Sequence, residues 1–440
     1  MSQRIGKKIL LDENNLEEYI ISARDALFRT GVPYFTSNSK ENKKFCQCSF
    51  LPLTLIPSPF PRNEFDLAIK LQLEWNNLMI KFSSNTKLIY DALKDVIKID
   101  QFIRKHWEIC QKVNQQNKKQ SITLNIMRID YMIDYDKMEK NAQTALSQIE
   151  INTFACGGCG IPERIKEFHK YMLHRTGNYD TIEMMDSTNL LDNIVESLIK
   201  SLELYMSPNA HFLLVIRNLD YTLSDHRLIE YALFEKAPKI KLFRMTFTEI
   251  NQNAVLDDHG RLFIQGCEIG IVYFKSGFDP SDYPSEKEWE ARYLLEQSMA
   301  IKSPKIEFQL MNTKKFQQYL YESNALEMYI DNEKTLKLIR STFVKQLTFK
   351  KGFNQAIFDL IEKECENLVL KNQREGGGNN IFGKEIKLHI QNFEEKELEQ
   401  FVLMEKINST KEINYLIYPP DEIKKAEISN EIGTFGIALG

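Results

Sequence analysis

The segment Lys371-Asn372-Gln373-Arg374-Glu375-Gly376-Gly377-Gly378-Asn379-Asn380 sets three adjacent glycines directly after an apolar stretch. Adjacent glycines cost backbone entropy, and close approach of backbone amides to phosphate oxygens, which a Cβ would block, is a physical reason to keep them. On the strand expected before them, Lys371, Gln373 and Glu375 stand at i, i+2 and i+4 and so share one face. That face offers a cation for phosphate and a carboxylate for a metal ion. A flexible surface turn is the alternative. A P-loop is another, because Gly378-Asn-Asn-Ile-Phe-Gly383-Lys384 has its spacing after a strand and before a helix. Glu385 follows where that motif needs the Ser or Thr hydroxyl that holds magnesium, and it would put negative charge beside the phosphates.

A second constellation is Gln148-Ile149-Glu150-Ile151-Asn152-Thr153. Strand alternation puts Glu150 and Asn152 on one face and Ile149 and Ile151 on the other. A carboxylate and an amide carbonyl at that spacing are hard oxygen ligands suited to magnesium, which needs few protein ligands when phosphates complete its shell. Arg128 and Asp130 likewise share a strand face, and the guanidinium is a fork for carboxylate or phosphate. Solvated strand edges are the alternative for both pairs. The seven cysteines are an odd, scattered set, which argues for a reducing compartment rather than a disulfide framework. Cys46 and Cys48 form one close pair, and Cys156 and Cys159 another with redox or half-zinc spacing. A zinc site needs about four ligands, and no partner pair of comparable spacing occurs, so no metal role is assigned to them.

The elements that must position these groups follow from pattern. Length alone, at 440 residues, implies two or three subdomains. Hydrophobic residues make up 43% and charged residues 27%, with a formal net charge of -4, which is ordinary for a soluble globular chain and gives no basic face for nucleic acid. No apolar run approaches the roughly 18 residues of a membrane span. Ile9-Leu10-Leu11 is too short for a targeting core, so a cytoplasmic location is expected. Helix spacing runs from Asn14 to Thr30, and a second long helix, capped by Asn63, runs to Phe82 after a proline-rich connector. Strands are expected at Ile122–Met127, Gln148–Thr153, Phe212–Ile216, Leu242–Phe247 and Ile269–Phe274, with helices beginning near Asp225 and Ser285. This alternation argues for an α/β architecture with covered sheets. The last part reads as a strand Leu368–Gln373, the glycine loop, a charged helix around Gly383–Glu399, a strand Phe401–Ile407 and a late strand ending near Glu431.

Seven strings then occur in the order seen in eukaryotic glutathione synthetases. They are Met127-Arg-Ile-Asp-Tyr-Met132, Gln148 to Thr153, Trp289-Glu-Ala-Arg292, Thr313-Lys314-Lys315, Lys371 to Asn380, Met404-Glu-Lys-Ile407 and Ser429-Asn-Glu431-Ile-Gly-Thr-Phe-Gly436. The chain resembles that family over nearly its whole length. The resemblance implies an ATP-grasp fold (α/β, α+β) with an inserted α/β substrate-binding domain at 205–307, a core formed by 1–204 and 308–440, and a glycine-rich-loop lid. It implies a homodimer that uses ATP and two magnesium ions to join γ-glutamylcysteine to glycine through an acyl phosphate. Neither nucleic acid nor membrane is a partner.

By the same resemblance, Glu150, Asn152 and Glu375 hold the magnesium ions. ATP meets Glu150, Lys314, Lys371, Gln373, Glu375, Gly376, Gly377, Gly378, Asn379, Asn380, Phe382 and Glu431, with Met404, Glu405, Lys406 and Ile407 as the backbone segment against adenine. Arg128 meets the substrate carboxylate and the phosphoryl group moving onto it. The dipeptide region comprises Ala155, Cys156, Gly157 and Gly158, then Asp220, Thr222 and His226, and Lys275, Ser276, Gly277 and Phe278.

This region also departs from the family. Phe154-Ala155-Cys156-Gly157-Gly158-Cys159 replaces a serine-rich stretch, Lys275-Ser276-Gly277-Phe278 replaces an Arg-Asp-Gly-Tyr pattern, and His226 stands for a glutamine. Lysine keeps the charge of arginine but loses the fork, so an altered donor or acceptor preference is expected. Family members also carry an Arg-x-Lys strand and a Gly/Ala-rich lid loop after the position of Gly440, so slow ligation with retained ATP binding is expected. The alternatives are a ligase for another γ-glutamylcysteine acceptor and a nucleotide-binding homologue with impaired catalysis.

Overall fold

The structure, a computed structural model, describes residues 9, 11–36, 47–116, 120–185, 188–218, 223–350, 352, 354–373, 380–418 and 422–440. Its centre is an antiparallel sheet of three strands, with Leu124–Ile133 between Leu146–Asn152 and Glu431–Leu439. The central strand is covered on both faces. Met127, Ile129, Tyr131 and Ile133 point one way, into a core with Trp75 and Phe82 of the helix Arg62–Ser83, Ile89 and Leu93 of Thr86–Ile99, and Trp107 of Gln101–Asn114. Trp75 and Phe82 are fully buried, and each apolar side chain of that size contributes about 1.5–3 kcal/mol by leaving water. On the other face Leu124 and Ile126 pack against Leu198, Leu202, Phe212 and Leu214. The next residues on that face are Arg128 and Asp130, where apolar cover gives way to charge.

Parallel strands occur in a six-stranded sheet, where Cys267–Phe274 pairs in parallel with His211–Val215 and Ile301–Ser303, and His211–Val215 with Leu242–Met245. An antiparallel edge of Leu262–Ile264 and Ala254–Leu256 completes it. A four-stranded antiparallel sheet carries Gln346–Thr348, Val402–Glu405, Leu368–Lys371 and Ile381–Phe382 in that spatial order. Its own small core holds Phe349, Leu370, Ile386, Phe401 and Leu403. The hairpin Lys411–Tyr418/Glu422–Ser429 then leads into the final central strand.

The expected alternation therefore describes the six-stranded sheet, while the central and four-stranded sheets are antiparallel. The second long helix starts after Pro61, which stands at the cap position; Asn63 lies inside the first turn and donates to Glu64. The strand before the glycine loop ends at Lys371, so Gln373 lies beyond it and does not share a strand face with Lys371. The charged helix is short, Lys384–Ile390, and turns follow it. The expected late strand is Glu422–Ser429, which ends close to Glu431, and a further strand that was not expected, Glu431–Leu439, follows it. Gly436 sits within it because a Cβ would stand 2.0 Å from Asn76 Oδ1 and 2.4 Å from Gln72 Nε2 of the adjoining helix. That close approach lets the Thr434 hydroxyl donate to Gln72 Oε1 at 2.8 Å. No helix among the described residues is long and apolar enough to cross a membrane.

Candidate active site

Cross-strand register assembles the polar face of the central sheet. Arg128 lies opposite Asn152 and Asp130 opposite Glu150. After this pair the register slips, Tyr131 facing Gln148, so Ile149 is the extra residue of a β-bulge. Bulges free a backbone group and re-aim side chains. Here the Ile149 carbonyl accepts from Lys371 Nζ at 3.0 Å, and Ile149 is only half-buried rather than turned into the apolar face. Arg128 makes a two-pronged pair with Asp130, Nε to Oδ1 and Nη2 to Oδ2, each at 2.7 Å. Its Nη1 donates to the Gly157 carbonyl at 2.9 Å. Asn152 Nδ2 donates to Asp130 Oδ2 at 2.8 Å.

Lysines reach this face from two other elements. Lys314, in the first turn of the helix Lys314–Glu322, holds Glu150 Oε2 at 2.6 Å. A cation at a helix N-terminus opposes the helix dipole, so the carboxylate across from it, not helix stability, accounts for the placement. Lys371 arrives from the end of the strand Leu368–Lys371. Burial would raise the Glu150 carboxyl, but Lys314 and then Lys371 and Asn152 outweigh it and bring it down to about 2. Burial pushes Asp130 up while the Arg128 guanidinium opposes the shift. At the rim, Glu431 is raised by desolvation and then by repulsion from Asp130 and Glu150. Carboxylate charge thus accumulates at one end of the face, beside an amide.

This set of hard oxygens fits a magnesium ion whose shell phosphate oxygens complete, and Glu150 and Asn152 are the described residues that would hold it. Glu375, the remaining expected ligand, lies outside the described residues, as do Gly376, Gly377, Gly378, Asn379, Asp220 and Thr222. Gln373 ties the glycine loop's near end down, accepting from the Lys315 amide at 2.8 Å and donating to the Gln400 carbonyl at 2.6 Å. Asn380 and Phe382 re-enter at the far end, both exposed, with Phe382 paired to Val369 across the sheet. In the expected adenine segment Met404 is buried. Glu405 turns its side chain to Lys345 at 3.0 Å. The Glu405 and Lys406 amides donate to the Lys345 and Asn367 carbonyls, so these two N–H groups are already engaged.

The loop after Asn152 is fixed from several sides. Asn312 Oδ1 accepts from the Thr153 and Phe154 amides at 2.6 and 3.2 Å. Ala155 adopts a positive φ of 51°. Asp225, fully buried on the helix Leu223–Lys236, receives the Gly158, Gly160 and Ile161 amides and thereby caps the helix Ile161–Arg175. Lys275 lies beneath the loop, donating to the Cys156 carbonyl at 2.5 Å and to Cys159 Sγ at 3.1 Å, with Asp225 at 3.7 Å. Burial pushes the Cys156 thiol up to about 12 and also raises Cys159. Such thiols are poor nucleophiles.

The strand Cys267–Phe274 ends just before the expected dipeptide segment 275–278, in which Ser276 is buried and the Gly277 carbonyl accepts from Gln309 Nε2 at 2.5 Å. Phe278 lies under the Arg217 guanidinium, 4.6 Å from its ring centre. Phe278 and Gln373 line one small cavity of about 20 Å³ with Gln309, Asn312 and Thr313, so the segment 275–278 and the residue before the glycine loop meet. His226 is buried beside Asp225. Asp225 and Asn312 are supports that sequence reasoning missed. Their bonds span 65 and 159 positions of the chain, and no local spacing signals them.

These residues sit in a chain whose residues 13–440 match the model of the eukaryotic glutathione synthase, ATP-binding domain. The glutathione synthetase of Xenopus laevis is 32% identical over 430 residues, covering 97% of this chain and 89% of the relative. That of Homo sapiens is 33% identical over 433 residues, covering 98% and 90%. Among solved structures, a glutathione synthetase-like effector from Globodera pallida in its apo form superposes with a TM-score of 0.76 at 22% identity, covering 98% of this chain and 91% of that one. The chain belongs to the eukaryotic glutathione synthase family.

Proposed function

We propose that the chain forms glutathione by activating the cysteinyl carboxylate of γ-glutamylcysteine as an acyl phosphate. A carboxylate oxygen bonds to the γ-phosphorus of ATP as the bond to the ADP oxygen breaks. The glycine amine then attacks the acyl carbon, and phosphate leaves with the oxygen it acquired. The observation that carries this reading is the convergence of Arg128, Lys314 and Lys371 on the sheet face that also bears Glu150 and Asn152. Arg128 orients the carboxylate against the phosphoryl group, and Lys314 and Lys371 take up phosphate charge. Positioned charge of this kind supplies most of the rate in such transfers. Two bound magnesium ions, held by Glu150, Asn152 and Glu375, would neutralise the phosphate oxygens. Labelling the cysteinyl carboxylate with oxygen-18 tests the route: one labelled oxygen should appear in the released phosphate, and unlabelled phosphate would contradict it.

The unit at 205–307, which carries the six-stranded sheet, is read as a substrate-binding domain inserted into a core of 1–204 and 308–440. Met404 to Ile407 is read as the adenine segment and Glu431 as a rim contact for ATP. The dipeptide lies against Ala155 to Gly158, Asp220, Thr222, His226 and 275–278. The homodimer rests on the resemblance of the motifs and the cytoplasmic location on the odd, scattered cysteines, and light scattering checks the first.

A second reading, a shifted acceptor or donor preference, is favoured by Lys275. Its ammonium is 1% exposed and engaged by the loop, so it does not reach out as an arginine fork would. Alanine or serine competing with glycine at equal concentration measures this directly.

A further inference from the structure

Asp130 is the charged group on this face to which the reading above gives no role. It is 1% exposed, and its carboxylate receives two N–H groups of Arg128 and one from Asn152. A carboxylate only accepts, so the Asn152 bond comes from the amide nitrogen and turns the amide oxygen away from Asp130. One residue therefore sets the angle of the guanidinium that meets the dipeptide and of the carbonyl that meets the metal. On the opposite edge, Gly433 faces Asp130 in the register. A Cβ there would stand 2.7 Å from Arg128 Cδ and 2.8 Å from Asp130 Oδ1. The absence of a side chain at Gly433 lets the pair lie flat on the sheet.

A buried ion pair adds little stability over apolar side chains of similar volume. Leu124 and Ile126, earlier on the same face, show that this face takes apolar packing where no chemistry is required. Fold stability alone thus does not explain a carboxylate at 130.

We infer that Asp130 is a positioning residue for the ligation, orienting the Arg128 fork and the Asn152 amide oxygen, with Gly433 as the space that permits it. This rests on the roles proposed for Arg128 and Asn152. The test compares the parent with Asp130→Asn and Gly433→Ala by calorimetric binding of γ-glutamylcysteine, by the magnesium dependence of ATP binding, and by melting temperature. Both variants should weaken dipeptide binding and raise the magnesium requirement about 10–100-fold, as loss of a ligand-orienting partner does elsewhere. ATP affinity at saturating magnesium should stay unchanged. Gly433→Ala removes no polar group, so it carries the test if Asp130→Asn fails to fold. Folded variants that bind dipeptide and magnesium like the parent overturn the inference. A parent that binds both yet makes no glutathione overturns the functional reading instead, and the two failures are distinguishable.

Discussion

On the Glu150 side of Arg128 the charges come from separate elements and remain reachable; on the Cys156 side they are sealed. The Lys314–Glu150 pair has side chains 7% and 22% exposed, whereas Lys275 and Asp225 are 1% and 0% exposed. On the proposed function the first pair exchanges partners when phosphate and a cation arrive, because Glu150 keeps 22% of its side chain exposed. The second cannot: its ammonium is spent on the Cys156 carbonyl and the Cys159 sulfur and its carboxylate on three loop amides, and they hold the shape of the segment 156–161. A lysine and a carboxylate in contact are thus a proposed binding device in one region and a fastening in the other, with burial deciding which.

The largest expected effect falls on the fastening. Asp225→Asn leaves the Lys275 ammonium buried beside a neutral amide. Such a break costs about 3–5 kcal/mol, which denaturant titration would read as a lowered midpoint; an unchanged midpoint would erase the contrast. Next is the binding device. Glu150→Gln should reduce glutathione formation on the order of 10²–10³-fold, the scale of losing one placed charge-stabilising group, with a melting temperature close to that of the parent. If Glu150→Gln instead unfolded the chain while turnover per folded molecule held, the two regions would have exchanged roles.

Acid should separate Glu150 from a third region, the His106–Tyr283 contact behind Gly277. Burial, then Arg292, lowers His106 from its ordinary 6.5 to about 3. His106 Nε2 lies 3.4 Å from the Tyr283 hydroxyl, which donates to the Gly277 carbonyl of the segment 275–278. The unfolded chain takes up this proton below pH 6.5 while the folded chain resists it. Stability therefore falls from pH 6.5 towards 3, by up to about 1.4 kcal/mol per pH unit, and the loss levels off below that. Glu150, lowered to about 2, stabilises the fold above its ordinary 4.5, and that contribution is lost only as pH falls from 4.5 towards 2. The support of the segment 275–278 should weaken first, and His106→Gln should flatten the stability curve between pH 6 and 4. A curve that keeps its slope in that variant would contradict this order. The smallest effect is a surface control: Lys425→Ala removes an exposed pair with Glu13 and should leave melting and turnover unchanged, since such pairs are screened by solvent.

Much of the site face was legible because strand alternation is local: Arg128 with Asp130, and Glu150 with Asn152, needed only a period of two. Their mutual register was not, since the bulge at Ile149 is set by pairing with Leu124–Ile133 and exposes a carbonyl for Lys371. Lys314 was marked by motif resemblance alone, because its partner lies 164 residues away. The unexpected final strand has a clear cause. Gly433 and Gly436 look like strand breakers, but each leaves room for a neighbouring side chain within the strand Glu431–Leu439. The charged stretch after Gly383 carries helix-forming residues throughout, yet it folds as a helix only to Ile390. Phe393 packs beyond that end against His389 and Phe401.

The most direct measurement is ADP and phosphate release with ATP, magnesium and γ-glutamylcysteine, with and without glycine, with the peptide product identified by mass. Release that depends on glycine and yields one glutathione per ADP is the expected result. ATP binding without glutathione formation from glycine would contradict the ligase assignment.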